Sequence, residues 1–199
     1  MSRASAAAAS LSRSSCVSST GLLQKNFFEL FGIAPGFGLE PRALEESWKR
    51  LQAVVHPDKV ASQGLSSSRR LAVEMSTRVN EAYQTLSSPL KRALYLMELS
   101  GFQLDPELSS KVPLAFLEQQ MAWREKLDEA KSQGQEAYAQ AAVLLRAELG
   151  IQLSQIHNEL SVLLSVFPVQ ESTADSVKQN IQSLMFLERF EQSLPHQGP

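Results

Sequence analysis

Val55-His56-Pro57-Asp58-Lys59 interrupts a pattern that is otherwise helical on both sides. Pro57 has no backbone N–H to donate and disfavours helical geometry at the residue before it. A helix entering this stretch therefore stops here, and His56 and Asp58 are presented on a connection. Three readings of the pair are open. It is a helix stop with a turn-forming aspartate, a catalytic His–Asp pair, or a recognition loop. A catalytic pair needs a nucleophile or substrate pocket, and the surrounding sequence offers no sign of one.

The flanks narrow the choice. Upstream, Leu44, Trp48, Leu51 and Val55 recur at helical spacing from Pro41 onward, and Pro41 suits a first helical turn. Arg42 and Lys49 lie off this stripe and Arg50 flanks it. Downstream of a Ser-rich loop, Leu71, Met75, Val79, Ala82 and Leu86 form a second stripe over about residues 67–87. Two facing stripes predict an antiparallel helical hairpin with His-Pro-Asp at its tip. This arrangement resembles the J domain, the DnaJ-like module that activates heat-shock-70 class chaperones. Asn26-Phe27-Phe28-Glu29-Leu30-Phe31-Gly32-Ile33 is similar to that domain's short first helix. Asn80-Glu81-Ala82-Tyr83-Gln84-Thr85-Leu86, followed by Ser88-Pro89-Leu90-Lys91-Arg92, is similar to the end of its third.

With 199 residues, 43% hydrophobic and 20% charged, the composition is that of a globular protein of one large or two small domains. A net charge of −2 gives no general affinity for nucleic acid or membranes. No apolar run approaches a membrane span. The single cysteine, Cys16, excludes an intramolecular disulfide, and nothing near it lowers its pKa. His56, His157 and His196 show no metal-ligand spacing, so neither metal nor cofactor is expected. His157 reads as structural.

Residues 1–23 are Ser/Ala-rich with Arg3 and Arg13 and no acid, a composition expected to be disordered and compatible with a transit peptide. Residues 24–100 form the expected J-domain unit, ending in a short helix over 89–99 that Gly101 terminates. Residues 101–113 read as a linker broken by Pro106 and Pro113. Residues 114–199 read as three helices, over about 114–131, 136–167 and 174–194, folding as an antiparallel bundle. The apolar set of the first is Leu114, Leu117, Met121 and Leu127, with Phe116 and Trp123 beside it. No stretch alternates as a strand does, so the fold class is all-α.

Ala115-Phe116-Leu117-Glu118-Gln119-Gln120-Met121-Ala122-Trp123-Arg124-Glu125-Lys126-Leu127-Asp128-Glu129 resembles the C-terminal domain of the HscB family, J-type co-chaperones of iron–sulfur cluster assembly. Leu184-Met185-Phe186-Leu187-Glu188-Arg189-Phe190 is similar to its last helix. Glu118 and Ala122 depart from the apolar and acidic residues of that pattern. The resemblance implies a non-enzymatic co-chaperone with two partners. His56, Pro57, Asp58 and Lys59, with Arg42, Lys49 and Arg50, would bind a heat-shock-70 class chaperone and stimulate its ATPase. Leu117, Met121, Glu125, Glu129 and Phe186 would bind the iron–sulfur cluster scaffold protein. Leu, Met and Phe at helical spacing are also what a core looks like, and that alternative stays open. A general co-chaperone for unfolded clients would carry Gly/Phe-rich or Cys-rich zinc segments, and neither occurs. A purely structural helical adaptor is the third class. The Cys-rich N-terminal module of some animal members is missing, which points to a bacterial-type, cytoplasmic member; the mitochondrial matrix is the alternative.

Overall fold

The computed structural model describes residues 24–55, 66–103 and 114–194. The expected tail, the His-Pro-Asp turn and most of the expected linker lie outside them. The described residues form seven helices and no strand: α1 (Phe27–Phe31), α2 (Pro41–Val55), α3 (Ser66–Ser87), α4 (Pro89–Leu99), α5 (Leu114–Gln133), α6 (Gln135–Leu163) and α7 (Glu171–Ser193).

Local chemistry explains the boundaries. Asn26 caps α1 by accepting from the Glu29 N–H, while the Glu29 carboxylate accepts from the Asn26 N–H. Ser88 caps α4 and Pro89 takes its first position. Gly101, at φ 86°, closes α4: its N–H donates to the Glu98 carbonyl and that of Phe102 to the Met97 carbonyl. The first residues of the expected linker are thus a helix cap. Gly134, at φ 122°, separates α5 from α6.

In the first unit α2 and α3 run antiparallel. Trp48 stacks on Tyr83 with centroids 4.8 Å apart, and its indole N–H donates to Asn80, which also accepts from Gln52 one turn further on. Leu44, Val55, Met75, Val79, Ala82 and Leu86 are buried between them. α1 closes one end through Phe28 and through Phe27, whose N–H donates to the Tyr95 hydroxyl.

α5, α6 and α7 form the expected antiparallel bundle, with α6 packed on both neighbours. Trp123 lies against Phe190 at 4.9 Å and Phe116 against Phe186 at 5.1 Å, which ties α5 to α7. The core does not stop at the boundary between the units. Leu160, Leu164, Val177, Ile181 and Leu184 belong to the same apolar cluster as Phe28, Leu86 and Met97. α7 packs on α4, and the Val169 N–H donates to the Ser100 hydroxyl. The loop before α2 inserts Phe37 between Arg92 and His157.

Two expected boundaries differ by three residues or more: α7 begins at Glu171 rather than at about residue 174, and α6 ends early. α6 ends at Leu163, four residues before Phe167. Pro168 disfavours helix at its predecessor, and the Ser165 hydroxyl and N–H both turn back to the Val162 carbonyl, which closes the last turn early.

Candidate functional site

The two expected partner surfaces lie on different units. His56, Pro57, Asp58 and Lys59 fall outside the described residues; in the chain they lie between the end of α2 at Val55 and the start of α3 at Ser66. Arg42, Lys49 and Arg50 are all exposed on α2. Lys49 pairs with Glu45 at 2.6 Å one turn earlier, and this hydrogen bond and charge raise its pKa. The Arg50 guanidinium donates to the Ser47 hydroxyl at 2.7 Å. Both cations are therefore oriented along the helix rather than aimed into the fold. Val54 on the last turn of α2 and Val73 on α3 are exposed apolar residues on the two helices that flank that segment in the chain. They were not among the expected residues; the signal was two valines off the apolar stripes.

On α5 the structure resolves the core-or-surface question. The buried face is Trp123 and Leu127, with Phe116 half-buried beside them. Their spacing of seven and four residues puts them on one side of the helix. The Trp123 indole N–H donates to the Glu148 carboxylate at 3.1 Å, so its polar edge is satisfied inside the bundle. Leu117 and Met121 point the other way and are 40% and 62% exposed, with Leu114 exposed one turn earlier. Glu125 and Glu129 continue that exposed side. Of the four residues expected as the apolar set of α5, only Leu127 is core. The aromatic pair decides: two rings seated on Phe186 and Phe190 set the rotation of the helix and turn Leu117 and Met121 outward.

Phe186 is a correction to the expected surface. It is 6% exposed and buries its ring against Phe116. Its place is beneath the exposed α5 face, which it supports by fixing Phe116.

His157 sits half-buried against Phe37, ring centroids 6.2 Å apart, and its Nε2 is buried without a hydrogen-bond partner. Burial, and secondarily the charge of Arg92, lower its pKa. Arg92 itself is buried: its Nε donates to the Leu86 carbonyl at 2.7 Å and its Nη1 to that of Phe37. Among the described residues no group of His, Cys, Asp and Glu is arranged to hold a metal ion, and no helix is long and apolar enough to cross a membrane.

Comparison with known proteins identifies this pair of units. The co-chaperone protein HscB homologue of Bordetella petrii is 37% identical over 172 residues, covering 86% of this chain and 95% of the relative. The homologue of Ralstonia nicotianae is 38% identical, covering 82% and 89%. The chain belongs to the HscB co-chaperone family. Residues 112–195 match the family model described as the HSCB C-terminal oligomerisation domain. The chaperone HscB of Vibrio cholerae superposes with a TM-score of 0.72 at 28% identity, over 84% of this chain and 94% of that one. Human co-chaperone protein HscB does so with 0.72 at 25%, over 85% and 80%. The fold is accordingly the HscB one, an N-terminal J domain (α1–α4) followed by a helical C-terminal domain (α5–α7).

Proposed function

We propose that this HscB-family co-chaperone joins a heat-shock-70 class chaperone to the scaffold protein of iron–sulfur cluster assembly. The His56-Pro57-Asp58-Lys59 turn docks the chaperone and stimulates its ATPase. Asp58 offers an anionic acceptor suited to an arginine of the partner. Arg42, Lys49 and Arg50 steer an acidic groove toward the turn, and Pro57 lowers the entropy lost on docking. The bond-breaking chemistry belongs to the partner, so this chain acts without a catalytic group of its own.

The scaffold docks on α5. The observation that carries this reading is that Leu117 and Met121 are exposed on the side of α5 opposite its buried face, in line with Glu125 and Glu129. An apolar patch continued by carboxylates suits a partner with an apolar patch edged by cations. Leu114 extends the patch. Phe186 contributes from below, through Phe116. Titrating purified scaffold protein into the chain tests this: replacing Leu117 and Met121 by Ala is expected to weaken binding at least about tenfold. Unchanged affinity would remove α5 from the interface.

We also read the C-terminal unit as an assembly unit in the wider sense that its family description carries. The cell compartment follows the relatives: a bacterial-type member works in the cytoplasm. Cleavage after about residue 23 in the protein isolated from its cell would place it in the mitochondrial matrix instead.

A further inference from the structure

Apolar pattern alone does not fix how α5 is rotated. Phe116, Trp123 and Leu127 lie on one side of the helix, and Leu114, Leu117 and Met121 lie on the other. Either set could serve as the core face of a bundle helix. The rings of Phe186 and Phe190 seat the aromatic side, but a buried tryptophan also needs an acceptor for its indole N–H. Trp123 is 1% exposed, and its Nε1 donates to the Glu148 carboxylate of α6 at 3.1 Å. Glu148 is itself exposed, so it is not there to fill the core. The bond sits where packing is otherwise open. Toward the start of α5 a groove of about 300 Å3 lies beside Phe116 and Gln119, against Gln152 and Ile156 of α6 and Leu187 of α7. Toward its end a second groove of about 180 Å3 is lined by Lys126 and Leu127 on α5 and by Leu144 and Glu148 on α6. On this side of the bundle α5 has room to roll, and a directional hydrogen bond lies between the two grooves.

We infer that Glu148 is a positioning residue for the scaffold face: by holding the Trp123 indole, it fixes the rotation of α5 that turns Leu117 and Met121 outward. It acts from the neighbouring helix and through Trp123, without touching the partner. The inference rests on reading α5 as the scaffold-docking helix. Losing the acceptor strands a buried donor, which penalises this rotation specifically. States in which Trp123 swings toward water then gain population, and in them Leu117 and Met121 turn toward the bundle. Scaffold affinity falls in proportion to the lost outward fraction. A glutamine at position 148 keeps an amide oxygen that can accept the same bond, so the role belongs to the acceptor and not to the charge.

Two measurements on the full chain test this. In a Cys16→Ser background, thiol labelling of Met121→Cys reads the outward face without any partner. Titration of purified scaffold protein reads docking. Glu148→Leu should slow labelling at least about twofold and weaken scaffold binding at least about fivefold, at unchanged helical content. Glu148→Gln should restore both to the parent's values. In a Trp123→Phe background, which has no N–H to satisfy, Glu148→Leu should have no further effect on either. Labelling that Glu148→Leu leaves unchanged overturns the proposal, whatever the scaffold does. An equal loss with Glu148→Gln overturns it too, because charge and not acceptance would then matter. So does an additive loss beside Trp123→Phe, which would mean that Glu148 meets the scaffold itself. Slower labelling at full scaffold affinity would show that Glu148 does hold α5 but that α5 is not the docking helix, which overturns the reading beneath and the positioning role with it.

Discussion

Truncating Leu117 and Met121 to Ala removes apolar surface that the fold does not bury, so the melting temperature should move by less than about 2 °C while scaffold binding falls. Phe186→Ala should behave in the opposite way and destabilise by about 3–5 kcal/mol, since its ring is enclosed between α5 and α7. Thermal unfolding of the two variants separates surface from support. His157 makes a pH prediction. Its folded pKa is lowered, first by burial and then by Arg92, whereas the unfolded chain takes the proton near pH 6.5. Below about pH 6.5 the unfolded state therefore binds more protons. The stability that His157 contributes is full above that pH and is lost as the pH falls toward its depressed folded value. Denaturant unfolding at about pH 7.5 and about pH 5 should show a smaller loss for His157→Phe than for the parent. Equal losses would mean that the ring is solvated. At this scale the sequence was partly legible: Leu117, Met121, Glu125 and Glu129 share a side by spacing alone. Burial at Phe186 and contact between Phe37, Arg92 and His157 were not, because each depends on which element lies opposite in the folded chain.

Helices opened by a proline or a side-chain cap were read to within a residue. α2 begins at Pro41 and bears its expected stripe, and α4 begins at Pro89 after Ser88. The capping box of α1 is a single-turn feature, and replacing Asn26 by Ala should cost about 1 kcal/mol in denaturant unfolding. A loss under about 0.3 kcal/mol would show that tertiary packing of Phe27 and Phe28 holds α1 alone. α5 was harder to read because it carries apolar residues on two opposite sides. Periodicity names both faces, and only the partner helix says which is core. Here Phe190 and Phe186 on α7 choose Trp123 and Phe116. Which side of α6 is core escaped the sequence reading for the same reason: its apolar residues are distributed around the helix.

For the whole molecule, the chain order of a helical hairpin unit and a three-helix bundle was legible from periodicity, and the J domain from the resemblance of its motifs, but the continuity of the core across them was not. Leu160, Leu164, Val177 and Ile181 pack with residues of α1–α4, and a linker inferred from Pro106 and Pro113 gives no hint of that. A shared core predicts a single cooperative unfolding transition by calorimetry. Two resolved transitions would show that the units melt independently. Arg92, which joins Leu86 and Phe37 beneath the α6 contact, should cost about 2–3 kcal/mol when replaced by Ala. The shared core bears on the proposed function, because it packs the helices that flank residues 56–65 in one unit with the bundle that carries α5. The most direct measurement is the steady-state ATPase rate of the purified heat-shock-70 class partner with the parent chain and with His56→Gln. The parent should stimulate and His56→Gln should not, at equal helical content, while Leu117→Ala with Met121→Ala should keep the stimulation but lose scaffold recruitment. Equal stimulation by His56→Gln and the parent would contradict the docking role of the turn.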